Sequence, residues 1–281
     1  MRAPKVSVLM LTYNRPQFIG PAIESVLAQR LKDWELVVVH DGPNEEIQGI
    51  MAEWEKRDPR IRYFHRPVAG NIGEASNFGI HQARGNYIAV LDDDDLWASP
   101  YKLTRQTDFL DRHPEYVGCG SGVIVVDTSE HEQMRYLKPE RDEDIKRRAL
   151  IANPIAHSSA IYRRAAALEA GGYDETLAGF QDWDLWLKLG ARGRLYNLPE
   201  YFACYRIWPG SGSFRVMKNN TRSALRITRR HRHSYPGFAP AFALTLLYHA
   251  YAHMPQQLQR YSYSFLSRMK KVAFSWRPAQ V

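Results

Sequence analysis

Residues 85–97 read GNYIAVLDDDDLW, an apolar run that ends in four consecutive aspartates and a tryptophan. Tyr87 to Leu91 carry no charge and are rich in β-formers, the pattern of a buried strand. Asp92 to Asp95 are therefore expected at that strand's carboxyl end. Four adjacent carboxylates repel one another, so either a solvated turn or a bound cation has to accommodate them.

Outward from this stretch, VSVLML (6–11), WELVVVH (34–40) and IRYFH (61–65) repeat the apolar pattern and alternate with helical spacing. The first helix is expected near Pro16, with Phe18, Ile19, Ala22, Ile23 and Val26 on one face. A second falls within 45–57 and a third begins near Glu74. This rhythm predicts an α/β fold with a Rossmann-like, mostly parallel central sheet and helices on both faces. Ligands of open α/β sheets bind beyond the carboxyl ends of the strands. Thr12-Tyr13-Asn14-Arg15, Asp41-Gly42 and the four aspartates are the groups expected on that rim. Neither GxGxxG nor GxxxxGK[ST] follows the first strand, which disfavours a dehydrogenase or P-loop enzyme. Any phosphate bound here would need a divalent cation, and Mg²⁺ or Mn²⁺ prefers carboxylate oxygen and water.

The chain has 281 residues, 44% hydrophobic and 24% charged, which is ordinary for a globular protein and ample for a large core. Cys119 and Cys204 form no disulfide framework or metal-type spacing, pointing to a reducing compartment. The first ten residues run into a strand without the features of a signal peptide, so a cytoplasmic location is expected. Charge is uneven. Residues 201–281 hold 13 Lys+Arg and no acid, leaving 25 Lys+Arg against 30 Asp+Glu in residues 1–200, a net of −5. A polyanionic partner at the tail is the implication.

Six segments together resemble one family. SVLMLTYNR, VVHDGP, NIGEASNFGI (71–80), GNYIAVLDDDDLWASPYKL (85–103), NPIAHSSAIYRR (153–164) and GGYDETLAGFQDWDLWLKL (171–189) resemble, in order and spacing, the inverting family-two glycosyltransferases of GT-A fold. The likeness covers roughly residues 5–208. It implies a GT-A domain over 1–210 and a basic, aromatic-rich helical extension over 211–281. It implies that Thr12, Asp41 and Asn71 help hold a nucleotide-sugar, with a UDP-sugar the expected donor. Asp92 and Asp94 would form the DxD pair: Asp94 on Mn²⁺ or Mg²⁺, Asp92 on the ribose or the metal shell, and Asp93 beside them on the donor. Asp182 aligns with the family's general base, and His157 and Asp184 would lie on the acceptor side.

The chain also departs from the family pattern. Gln181 stands where a glutamate commonly precedes the base, Ser76 where an arginine precedes Asn77, and Trp208 in YRIWPGS where many relatives have a histidine. Residues 127–153, polar and charged, are expected to form a mobile acceptor-side segment.

In the extension, 215–232 carry seven Lys+Arg, and 255–274 space Leu258, Tyr261, Phe265, Met269 and Val272 helically beside Arg268, Lys270 and Lys271. The apolar stretch FAPAFALTLLYHAYAHM is too short and interrupted to span a bilayer. The extension is expected to lie on an anionic membrane surface, at the inner face of the cell membrane, or else to pack on the catalytic domain or on a second copy in a homo-oligomer. A membrane address would suit a saccharide or lipid-linked acceptor in cell-envelope polysaccharide assembly. Two other readings are weaker. A nucleotidyltransferase would show a glycine-rich basic loop after the first strand, and a nucleic-acid-binding protein would leave both acidic sites unexplained. No nucleic-acid partner is expected.

Overall fold

The computed structural model describes residues 3–208 and 217–254. Four fully or largely buried strands form its first half: β1 (Val6–Thr12), β2 (Trp34–Asp41), β3 (Ile61–Arg66) and β4 (Tyr87–Val90). They pair in parallel in the spatial order β3-β2-β1-β4. Beyond β4 the sheet continues through β8 (Ile161–Arg163), β6 (Tyr116–Val126), β9 (Arg194–Arg206) and the two-residue β5 (Leu96–Trp97), with β7 (Glu132–Tyr136) on β6. The antiparallel pairs are confined to this second half, where β6 and β9 run parallel. The expected α/β class, with a mostly parallel curled sheet, is what the chain adopts.

Strand alternation divides the core. Val6, Val8 and Met10 point to one face, where α1 (Pro16–Leu27), α2 (Glu45–Arg57) and α4 (Lys102–Arg112) cover them with Ile19, Ile23, Ile47, Met51, Leu103 and Leu110. Leu9, Val37 and Val39 point to the other, under α3 (Ile72–Gln82), α6 (Arg164–Glu169) and α7 (Gln181–Gly190). Burying a Val, Leu or Ile side chain is worth about 1.5–3 kcal/mol, so both layers are strongly held. Local chemistry places the helix ends. Pro16 opens α1, and Asn44 and Asn71 cap α2 and α3 by accepting from Ile47 N and Glu74 N at 3.0 Å.

The structure adds three details. The third helix starts at Ile72, because the Asn71 cap lies before Glu74. Residues 127–153 contain ordered elements, the exposed strand β7 and α5 (Asp142–Arg148). His157 lies in a short 3₁₀ turn (His157–Ser159), outside any strand.

Two further helices, α8 (Met217–Arg230) and α9 (Phe238–His253), follow the sheet. Ala224 and Ile227 of α8, with Tyr235 and Ala241, pack against Ala149, Leu150, Leu177, Trp183 and Leu187 in a third apolar cluster. The described part of the extension therefore rests on the catalytic domain. No helix among the described residues is long and apolar enough to cross a membrane. The amphipathic pattern at 255–274 lies outside the described residues.

Candidate functional site

Parallel register aligns the ends of β1, β2 and β4 on one rim, with Thr12 opposite His40 and Leu9 opposite Val90. After β1 the chain turns through Asn14 in a left-handed conformation (φ +52°), which asparagine tolerates, and Arg15 follows. After β2, Gly42 takes φ +112°, where an added Cβ would meet the Tyr13 ring at 3.0 Å. After β4 comes the acidic turn, closed by Asp95 N donating to Asp92 O at 3.1 Å.

The four aspartates have different surroundings. Asp93 is fully buried, and Arg15 Nη2 stands 2.5 Å from its Oδ1. Burial pushes this carboxyl up to about 7 even so, with Arg15 opposing. Asp95 is also buried. It accepts from Ser158 Oγ at 2.5 Å and from Arg206 N at 3.0 Å, and burial beside Asp92 and Asp94 raises its pKa well above the usual carboxylate range. Asp94 Oδ2 receives Arg15 Nη1 at 2.6 Å and Trp208 Nε1 at 3.0 Å. Asp92 has 37% of its side chain exposed, with His157 Nε2 at 3.8 Å. Desolvation raises its pKa, the His157 ring opposes, and Asp94 and Asp182 add to the rise. Residues 93 and 95 thus face inward, and 92 and 94 carry the oxygens closest to the rim.

Among the described residues, no three His, Cys, Asp or Glu side chains form a ready-made metal cage. The donor chemistry fits a hard divalent ion nonetheless. Asp92 and Asp94 offer carboxylate oxygens, Asp94 already draws a cation, and Mg²⁺-type sites commonly use one or two carboxylates completed by water and substrate phosphate. Trp208 is no substitute for a histidine ligand, because an indole N–H only donates; here it donates to Asp94.

Three expected donor-side residues prove partly committed elsewhere. Thr12 is 1% exposed and lies behind the turn. Asn71 spends its side chain on the α3 cap, its amide donating to Glu74 Oε1 at 2.9 Å and Glu175 O at 2.8 Å. Asp41 accepts from Gly70 N at 3.0 Å and pairs with Arg66 Nη1 at 2.9 Å, while Arg66 also reaches Glu74 at 3.3 Å. The basic group missing beside Asn77 has a counterpart here, supplied by β3.

The second acidic site opens α7. Phe180 caps the helix in a left-handed conformation (φ +60°), and Asp182 occupies the first turn. Asn153 Nδ2 donates to Asp182 Oδ2 at 2.6 Å. Lys138 Nζ donates to Asn153 O at 2.8 Å, and burial brings the ammonium down to about 8 against the pull of Asp182. Gln181 is buried and donates to Leu177 O at 2.8 Å, a tie within the fold. Asp184, expected on the acceptor side, is fully buried on the opposite flank of α7. Lys188, Arg230 and His231 stand 2.9, 3.0 and 2.9 Å from its oxygens and hold α8 to the domain, and despite burial these contacts lower its carboxyl to about 2.

Arg66, Asn153, Ser158 and Arg206 were not singled out from the sequence, and Arg15 was placed on the rim without its partner. Three of those four lie within the motif strings, so position was available; what was missing is the contact, which for Arg15 and Asp94 spans 79 residues. A surface cavity of about 450 Å³, lined by Asn77, His81, Leu168 and Glu175 among others, contains none of the rim aspartates, so it is not where the chemistry sits.

Residues 7–171 match the profile of Glycosyl transferase family 2. The amylovoran biosynthesis glycosyltransferase AmsE of Erwinia amylovora is 31% identical over 200 residues, covering 69% of this chain and 73% of that protein. Among solved structures, the mannosyltransferase PcManGT of Pyrobaculum calidifontis, in complex with GDP-Man and Mn²⁺, superposes with a TM-score of 0.65 at 17% identity, covering 97% of this chain and 76% of that one. S. aureus TarS (residues 1–349) in complex with UDP-GlcNAc gives 0.66 at 18%, covering 87% and 72%. The fold, the rim of acidic groups and these similarities agree: the chain is a glycosyltransferase and belongs to glycosyl transferase family 2.

Proposed function

We propose that the chain catalyses metal-dependent, inverting transfer of a sugar from a nucleotide-diphospho-sugar to a hydroxyl of a saccharide or lipid-linked acceptor. The observation that carries this reading is Asp182: Asn153 engages its Oδ2 and leaves Oδ1 without a bonded partner among the described residues, and its charge is felt at Asp92. Such a carboxylate can act as general base. Oδ1 takes the proton of the acceptor hydroxyl as that oxygen bonds to the anomeric carbon, while the carbon–oxygen bond to the diphosphate breaks and the electron pair leaves with the nucleotide. One displacement inverts the centre. Mn²⁺ or Mg²⁺ held by Asp92 and Asp94 would supply positive charge to the departing diphosphate. Asp41, paired with Arg66, would hold the nucleoside at the end of β2.

The mannosyltransferase and TarS complexes carry GDP-Man and UDP-GlcNAc, so both bases belong in the test; a UDP-sugar is our first choice. The relative's role in amylovoran biosynthesis supports an acceptor in envelope polysaccharide assembly. An anionic membrane surface at the inner face is the proposed place of work. Arg222, Arg226 and Arg229 line the exposed side of α8 at i, i+4 and i+7, with no carboxylate within ion-pair distance among the described residues. Beyond Glu200 the chain has no Asp or Glu to neutralise them. Repulsion at such spacing costs a few tenths of a kcal/mol per pair, which anionic headgroups would reverse.

The test is to incubate the protein with Mn²⁺ or Mg²⁺ and a panel of UDP- and GDP-sugars, with and without saccharide acceptors, and to measure released nucleotide and the anomeric configuration of product by NMR. Release that needs metal, with an inverted product, is expected. A retained configuration overturns the single displacement. For the membrane, the full chain should co-sediment with phosphatidylglycerol-containing vesicles at low salt, and a variant with Arg222, Arg226 and Arg229 changed to serine should bind less. Equal binding removes α8 from that role.

A further inference from the structure

Among the described residues, Arg15 is the one guanidinium that touches two of the four turn carboxylates, with Nη2 at 2.5 Å from Asp93 and Nη1 at 2.6 Å from Asp94. Its Asp94 contact falls on Oδ2, the same oxygen that Trp208 Nε1 reaches at 3.0 Å. Phe18, one turn after Arg15, packs on the Trp208 ring with centroids 5.3 Å apart, and the Arg206 guanidinium lies 5.1 Å from the Phe18 ring centre. Arg15, Phe18 and Trp208 thus close over Asp94 from the β1 side. The two prongs of Arg15 are unequal in what they hold. Asp93 is wholly buried, and losing its counter-charge there would be costly. Asp94 is on the rim, and its Oδ2 is an oxygen that a divalent ion would claim.

We propose that Arg15 is a built-in counter-cation of the acidic turn, which keeps Asp93 throughout and yields Asp94 Oδ2 when metal and donor bind, its freed Nη1 then turning to the donor's diphosphate. The inference rests on the metal-dependent reading above and adds to it a residue and an order of exchange. A guanidinium suits both duties, because its fork can hold a carboxylate through one nitrogen and a phosphate oxygen through the other. Competition for one oxygen has a consequence that simple structural support lacks. Removing Arg15 should help the ion alone and hurt the nucleotide diphosphate.

The experiment uses the full chain and its Arg15→Gln and Trp208→Phe variants. Free Mn²⁺ is followed by electron paramagnetic resonance without nucleotide, and UDP and GDP binding by calorimetry at saturating Mn²⁺. Arg15→Gln is expected to bind Mn²⁺ alone about tenfold more tightly, and the better-binding nucleotide about tenfold more weakly. Trp208→Phe, which removes the other donor from Oδ2, should tighten Mn²⁺ by a smaller factor and keeps the exchange testable if Arg15→Gln does not fold. Mn²⁺ binding that is unchanged or weaker in the variants, while wild type binds it, overturns the counter-cation and leaves the metal reading intact. Unchanged nucleotide affinity in Arg15→Gln overturns the diphosphate half. Absence of Mn²⁺ binding by every protein, with or without nucleotide, overturns both this inference and the metal reading.

Discussion

Two acidic regions of this chain, the turn at Asp92 to Asp95 and the buried Asp184, handle the same chemical problem in opposite ways. The turn crowds four carboxylates together, with Arg15 between Asp93 and Asp94 and His157 3.8 Å from Asp92. Its buried members hold their protons more tightly than an ordinary aspartate, Asp93 up to about 7. Asp184 is met by Lys188, Arg230 and His231, Arg230 being shared with Asp174, and its carboxyl drops to about 2. Surplus positive charge around a buried acid makes a fastener. A deficit makes a place where a further cation would be welcome. Asp182, two residues from the fastener and on the same helix, is hydrogen-bonded by the Asn153 amide and by no cation among the described residues, as suits the general base proposed above.

The contrast is most sharply tested by paired substitutions on α7. Asp182→Asn is expected to lower turnover by about 10²–10⁴-fold, the usual worth of a general base, with nucleotide affinity and unfolding midpoint unchanged. Steady-state kinetics beside calorimetric nucleotide binding measure this, and near-normal turnover would remove Asp182 from catalysis. Asp184→Ala should do the reverse to the fold, costing about 3 kcal/mol because the largely buried Lys188 loses its carboxylate and the tie from Arg230 and His231 to α7 is cut. Urea unfolding reads the loss, and a change below about 1 kcal/mol would show that the α7–α8 fastener is not needed.

Acid should then sharpen the difference. Asp184 titrates near 2 folded and near 3.9 unfolded. Between those values the unfolded chain binds more protons, so the stability Asp184 contributes is complete above about pH 4 and is lost as pH falls toward 2. Urea midpoints at pH 4 and pH 3 should differ more in wild type than in Asp184→Asn. Equal differences would mean that other carboxylates govern acid unfolding.

A second pH effect concerns Lys102, which is fully buried, donates to Gln106 Oε1 at 2.7 Å and lies 4.3 Å from the Trp97 ring centre. Burial depresses it to about 7. Between 7 and its unfolded value near 10.4 the unfolded chain is again the more protonated, so Lys102 makes stability rise with pH. Lys102→Met is expected to remove a rise of up to roughly 1 kcal/mol per pH unit between pH 7 and 9, seen in unfolding midpoints. Parallel profiles for the two proteins would contradict the assignment.

The chain's apolar rhythm was enough for β1 to β4 and for α1 and α2, because each is decided by its own period and ends: Pro16 at one start, Asn44 at another. The two acidic motifs likewise stood out as strings. Residues decided by distant partners did not. Asp184 looked like an acceptor-side group, because Arg230 and His231, which claim it, are 46 and 47 residues onward. Strand β7 was missed for another reason. It is an exposed edge strand held by backbone pairing to β6, so its side chains carry no apolar alternation. Trp208 was readable as a departure from the family pattern, but its donation to Asp94 was not, since that contact spans 114 residues.

The short strand β5 has a consequence for the timing of synthesis. Leu96 and Trp97, immediately after the acidic turn, pair only with Cys204 and Ala203, and the backbone and side chain of Arg206 then bind Asp95 and the Asp94 carbonyl. A nascent chain shorter than 206 residues has all four aspartates, with Arg15 and Ser158 to hold them, but lacks the Arg206 contacts to Asp94 and Asp95. The parallel strands β1 to β4 are complete more than a hundred residues earlier. On the ribosome, the four-stranded parallel part of the sheet can therefore assemble well before the acidic turn gains its last ties, which arrive with β9.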